Sequence, residues 1–150
     1  MAGSVLEAPV DHPLSLPMQL ILIIGSYAIW ILLFIYSVRL GFREKTPFYA
    51  VVVTAAGVGA FYEPIYDEVL MLYFYRPGQV SMFTSFDIPQ PVWTLSGYVT
   101  LYASVALFVT RDLANGTMTK AKFWRYTVAE YASSSLFETI AINGGAYEYW

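Results

Sequence analysis

The chain has no cysteine, a single histidine and few charges: only 13% of its 150 residues are Asp, Glu, Lys or Arg. Each shortage removes a class of chemistry. Without cysteine there is no disulfide scaffold, thiolate metal site, Fe–S cluster or cysteine nucleophile. His12, the lone histidine, lies in a proline-rich tail, so no histidine is available to ligate a metal within the apolar segments. Soluble domains carry about 25% charged residues, roughly twice the share here. Net charge is −3, which disfavours nucleic acid as a partner. There is no phosphate-binding glycine loop, dinucleotide fingerprint or nucleophile elbow, and no internal repeat. What is present is apolar mass: 57% hydrophobic residues, 18% of the chain aromatic. That excludes disorder and indicates a membrane protein of one domain.

Residues 18–38 (MQLILIIGSYAIWILLFIYSV) contain no charge, and about 20 apolar residues cross a bilayer. No basic stretch precedes them, and Arg39, Arg43 and Lys45 follow, so the segment reads as a first transmembrane helix rather than a cleaved leader. Residues 1–17, with Pro9, Pro13 and Pro17, read as an extended tail. A second helix is expected over 47–75, opened by Pro47 and kinked at Pro64. Residues 76–90 read as a loop. A third helix is expected over 91–110, uncharged and rich in hydroxyls, then a polar turn at Asn115-Gly116 and a fourth helix over 123–142.

The basic residues set an orientation. Arg39, Arg43 and Lys45 lie in one connection and Arg111, Lys120, Lys122 and Arg125 in another, against only Arg76 on the opposite side. The positive-inside bias then makes both connections cytoplasmic and both termini non-cytoplasmic. The expected fold is an all-α, multi-pass bundle of four transmembrane helices in the cell membrane. The alternative, a soluble bundle, needs polar helix faces that the first and third segments lack.

Five acids interrupt the apolar segments: Glu63, Asp67, Glu68, Glu130 and Glu138, with no basic residue inside a span beyond Arg125 at the cytoplasmic edge of the fourth. A carboxylate there costs several kcal/mol unless paired, neutralised or wetted. At about 1.5 Å per residue, Glu63 lies roughly 24 Å along its helix from Pro47, and Glu138 roughly 22 Å from Phe123. If the two helices are neighbours, the two carboxyls share a level. Asp67 and Asn143 then meet a turn further out, and Ser96 and Thr94 arrive from the antiparallel third helix. Two carboxyls at one level in a low dielectric divide into a proton donor and a base. The expected catalytic set is Glu63, Glu138 and Asp67. Tyr62, Tyr66, Trp93, Ser96, Tyr98, Tyr131 and Asn143 are the expected substrate-binding residues, suited to a lipophile and to a transient cation.

Plainer readings stand beside this one. Asp67 and Glu68 suit a membrane interface, since Pro47 to Asp67 already spans about 30 Å. Glu130 can reach Arg125 or Lys122. Tyrosines and tryptophans near segment ends serve as interfacial anchors, and Gly57-Val58-Gly59-Ala60 as a helix-packing patch. Glu63 and Glu138 can equally hold a structural network or face a partner's basic group. No cofactor or metal is expected, because the Glu-x-x-His pattern of helical metal bundles is missing.

Three motifs together resemble a family: Phe61-Tyr62-Glu63-Pro64-x-x-Asp67, Phe86-x-x-Pro89-x-Pro91-x-Trp93, and Glu138 followed by Tyr147-x-Tyr149-Trp150. Over residues 47–150 the chain is similar to the actinobacterial AveC-like membrane proteins, named for the avermectin spirocyclase. The resemblance implies acid-assisted closure or isomerisation of a spiroketal-type ring. It makes Glu63 and Asp67 the functional acids, with Glu138 an extension. Members of that family continue past the Tyr-x-Tyr-Trp stretch into further membrane helices, whereas this sequence ends at Trp150. The expectation is a remaining portion elsewhere, or a small paralogue with a different role.

Two functions follow: an acid/base isomerase or cyclase of a lipophilic substrate, or a non-catalytic subunit of a membrane complex whose acids face a protein partner or a second copy. A proton-coupled carrier is a third reading, for which inverted repeats are lacking.

Overall fold

The computed structural model describes residues 11–149; the first part of the expected tail lies outside them. The described chain is mostly helical (71%). Helix α1 (Leu16–Glu44) is capped by Ser15, whose hydroxyl accepts the Met18 N–H, and carries Pro17 in its first turn. It outruns the expected 18–38, taking in Arg39, Arg43 and Glu44, and stops where Lys45 turns into the left-handed region at φ 53°. Helix α2 (Phe48–Gly59) passes through a 3₁₀ turn (Ala60–Tyr62) into α3 (Glu63–Leu70), so the proline kink is realised as a tightened turn just before Pro64.

Here the structure departs from the expected helix over 47–75. Met71 adopts φ 53° and ends α3. Leu72–Phe74 become strand β1, paired antiparallel with β4 (Tyr147–Tyr149) in the register Leu72 to Tyr149 and Phe74 to Tyr147. The expected loop over 76–90 also holds regular structure: β2 (Ser81–Ser85) and β3 (Ile88–Pro91) form a hairpin. Its two turn residues, Phe86 and Asp87, have φ 50° and 60°, the geometry of a tight hairpin turn, without the usual Asn-Gly or Asp-Gly signature. The all-α expectation is corrected accordingly: the fold is a helical bundle closed at one end by two small two-stranded sheets.

The third long helix comprises α4 (Val92–Tyr98), a π-helical stretch (Val99–Ala103) and α5 (Ser104–Ala114). A polar turn leads into α6 (Lys120–Asn143), whose N-cap Thr119 accepts the Lys122 N–H. Among the described residues three helical segments are long and apolar enough to cross a membrane: Leu16–Glu44, Phe48–Leu70 and Val92–Ala114. Leu20, Ile21, Ile24, Ile31 and Leu32 point outward from α1, an apolar surface far more extensive than water-soluble domains display. α6 is as long, but carries Lys120, Lys122, Arg125, Glu130 and Glu138 and buries only Ala141.

Two cores result. One, at the arginine-bearing end, packs Leu40, Tyr49, Val53, Val99, Ala103 and Leu107 where α1, α2 and the third long helix meet. Gly57 and Gly59 permit this approach: a Cβ at Gly57 would sit 3.3 Å from Val99, and one at Gly59 3.2 Å from Tyr98. The other core, under the sheets, packs Met18, Leu22, Phe74, Trp93, Ala141 and Tyr147. A buried hydroxyl seam joins α1 to the third long helix, Ser26 Oγ lying 2.6 Å from Ser96 Oγ and Thr100 donating to the Ser26 carbonyl at 3.2 Å. Gln19 locks the sheet end in place: its amide donates to the Gly78 carbonyl (3.0 Å) and its oxygen accepts the Val80 N–H (2.7 Å).

Candidate functional site

Under the sheets lies a cavity of about 60 Å³ lined by residues from five parts of the chain. Glu63 enters from the start of α3, Trp93, Thr94 and Tyr98 from α4, Glu138 from α6, and Phe74 and Tyr147 from the β1–β4 pair. The aromatic wall is ordered by mutual contact. Phe74 meets Trp93 edge-on at 5.6 Å and Tyr147 at 5.5 Å, while Trp93 and Tyr147 stack at 5.9 Å.

Each carboxylate is held by phenols rather than by a cation. The Tyr98 hydroxyl donates to Glu63 Oε2. Tyr147 donates to Glu138 Oε2 at 2.7 Å and Tyr149 donates to the same oxygen at 3.2 Å. Burial pushes the Tyr147 and Tyr149 phenols well above their ordinary range, and the adjoining Glu138 carboxylate adds to this. Both therefore stay protonated donors at any physiological pH. Neither acid has an ion-pair partner within 4.0 Å among the described residues, whose two ion pairs are Arg111–Glu44 and Lys122–Asp112.

The remaining expected site residues scatter. Asp67 is buried, but it faces Gln90 of β3, which donates to it at 2.6 Å, and does not meet Asn143. Asn143 is exposed and donates to the Thr139 carbonyl, because the helix carries it past the cavity to the outer surface. Ser96 is spent on the seam with Ser26. Tyr62, Tyr66 and Tyr131 are exposed and point away from the bundle. Glu130 does not reach Arg125 or Lys122: Lys122 binds Asp112 at 3.0 Å, and Glu130 accepts from Ser134 at 3.4 Å.

Several cavity residues lie outside the expected catalytic and substrate-binding sets. Leu72, Phe74 and Tyr147 arrive through a strand pairing between segments some seventy residues apart. The Tyr147-x-Tyr149 alternation, which puts both phenols on one strand face, was the available signal. Gly97, Leu101 and Tyr102 follow from the same helix as Tyr98. Among the described residues no group of three or more His, Asp or Glu side chains is placed to hold a metal ion.

Chemically, the cavity offers two carboxyl groups, three phenol donors and an aromatic wall in a space that holds only a few water molecules. At about 60 Å³ it is too small to enclose a polycyclic molecule. No family model, curated protein or solved structure matches this chain.

Proposed function

We propose that the chain is a multi-pass protein of the cell membrane that transfers protons to and from a lipophilic substrate. It would isomerise or cyclise that substrate by general acid/base catalysis at Glu63 and Glu138. The observation that carries this reading is the convergence of two carboxyls, each held by tyrosine hydroxyls, on one small aromatic-walled cavity. One protonated carboxyl donates to an oxygen of the substrate and the other, ionised, accepts a proton or faces the developing cation. Trp93 and Phe74 supply ring faces for that cation. The volume supports a substrate whose reactive polar group alone enters, the rest remaining among lipid and helix surfaces. The Phe61-Tyr62-Glu63-Pro64-x-x-Asp67 motif, read as resembling AveC-like proteins, implies the same kind of chemistry. In this reading α6 crosses the membrane as a fourth helix, with both termini non-cytoplasmic, and Asp67 serves the architecture rather than the reaction.

α6 favours a second reading. It buries only Ala141 and exposes Phe123, Trp124, Val128, Tyr131, Leu136 and Ile140, so a further membrane protein, or a second copy, fits against it. The chain would then be a non-catalytic subunit.

The deciding experiment begins with native mass spectrometry of the chain extracted gently from its own membrane, with solvent extraction of any bound lipophile. That lipophile is then incubated with the protein in deuterium oxide. The catalytic reading expects deuterium incorporation or a rearranged product, lost in Glu63→Gln and Glu138→Gln with helix content unchanged. A stoichiometric protein partner, no lipophile and no exchange would establish the subunit reading instead.

A further inference from the structure

At the other end of the bundle, the last turns of α1 and α5 frame a pocket of about 410 Å³ lined by Tyr36, Arg39, Leu40, Phe42, Arg43 and Arg111. Arg39 and Arg43 stand four residues apart on α1, hence on one face with Cβ atoms about 5–6 Å apart. Arg111 faces them from α5. Its guanidinium is steadied by Glu44, Nε to Oε1 at 3.2 Å, and Glu44 also accepts the Tyr49 hydroxyl.

The nearby acids are committed. Glu44 serves Arg111 and Tyr49, while Asp112 accepts from Lys122 at 3.0 Å, Tyr126 at 2.8 Å and Thr117 at 2.7 Å. Neither Arg39 nor Arg43 has a carboxylate within 4.0 Å among the described residues. Three guanidiniums against one carboxylate leave a concave surface with two uncompensated positive charges. Guanidinium forks match phosphate oxygens in pairs.

The remaining lining decides the source of the phosphate. Leu40 is buried in the floor, Tyr36 presents a ring, and Phe42 is 82% exposed on the rim. An apolar rim beside a basic pocket, at the end of a 29-residue helix long and apolar enough to cross a membrane, suits a phosphate that carries acyl chains. We infer that Arg39, Arg43 and Arg111 bind the phosphate head of an anionic phospholipid, with its chains running along Phe42 and the outer face of α1. Basic pockets between membrane helices recognise such heads. The site is distinct from the carboxylate cavity and does not depend on its chemistry.

The test uses the full chain in nanodiscs of mixed phosphatidylglycerol and phosphatidylcholine, released into detergent for native mass spectrometry. Phosphatidylglycerol is expected to be retained over phosphatidylcholine by roughly tenfold, in a one-to-one complex. The double variant R39Q/R43Q is expected to lose that preference, and R39K/R43K to keep part of it through charge without the paired fork. R125Q, which removes a basic residue outside the pocket, is expected to retain the preference in full. Equal retention of both lipids by the unaltered chain would overturn the site, as would an equal loss in R125Q. Thermal protection by inorganic phosphate without phosphatidylglycerol preference would assign the pocket to a free anion and overturn the lipid assignment. Circular dichroism of each variant separates loss of binding from loss of fold.

Discussion

The Gln90 side-chain amide donates to Asp67 Oδ2 across 2.6 Å, and both side chains are sealed from solvent. This bond fastens the hairpin strand β3 to α3, and with it the segment that enters α4. Asp67 Oδ1 and Gln90 Oε1 have no protein partner, so the pair holds two acceptors and lacks one donor.

An amide at position 67 can supply that donor. Asp67→Asn is therefore expected to fold with stability within about 1 kcal/mol of the unaltered chain. Asp67→Ala strands the Gln90 amide and leaves a void, at a cost of about 2–4 kcal/mol. Unfolding by denaturing detergent, followed by circular dichroism, compares the two. Equal destabilisation would show that the pair contributes nothing beyond volume.

The phenols differ in what they leave behind. Glu63 relies on Tyr98, whereas Glu138 has both Tyr147 and Tyr149. If the two acids work as proposed, Tyr98→Phe lowers turnover by about 10-fold or more, whereas Glu63→Gln lowers it by about 10²–10⁴-fold. Tyr149→Phe, which removes the longer of two bonds, has the smallest effect. Product formation or deuterium exchange from the extracted lipophile measures all three, and an effect of Tyr149→Phe larger than that of Tyr98→Phe would contradict the assignment.

Two glycines separate packing from chemistry. A Cβ at Gly97 would make ordinary contacts, 3.6 Å to Phe137 and 3.8 Å to Trp93, inside the cavity lining. Gly97→Ala is expected to raise stability by about 0.5–1 kcal/mol through helix propensity while narrowing the cavity and lowering turnover. A Cβ at Gly59 would press on the Tyr98 ring at 3.2 Å. Gly59→Ala is thus expected to lower turnover without that gain in stability. Thermal melts paired with turnover assays check both.

Tyr75, beyond the end of α3, gives the sheet end a pH limit. Burial, with help from its 2.7 Å hydrogen bond to Glu148, pushes its phenol from the ordinary 10.0 up to about 12. A raised folded-state value means the native chain holds the proton that the unfolded chain releases. The associated stability is complete below pH 10 and is lost as pH rises from about 10 to about 12. Tyrosinate absorbance and unfolding midpoints across that range should show the loss, and Tyr75→Phe should reduce it. An unchanged pH dependence in Tyr75→Phe would show that other tyrosines cause the loss.

Much of the architecture was legible in the chain because burial in a bilayer imposes composition on every residue of a span. The uncharged runs located three long helices, although α1 begins at Leu16, within the stretch expected as tail, and Asn115-Gly116 marked the turn before α6. The helical rise put Glu63 and Glu138 at similar distances along their helices, since 1.5 Å per residue holds whatever surrounds the helix, and both line the one cavity. What sequence could not supply was everything that depends on which surfaces meet. Leu72–Phe74 are compatible with continued helix or with strand, and pairing with Tyr147–Tyr149 decides between them. The hairpin turn at Phe86-Asp87 lacks the residues that usually announce one. Asp67 and Asn143 fall at similar depths, yet α3 turns Asp67 toward Gln90 and α6 turns Asn143 outward. Depth along a helix follows from counting residues, whereas the direction a side chain faces is set by packing against neighbours distant in sequence, and only the tertiary structure decides that.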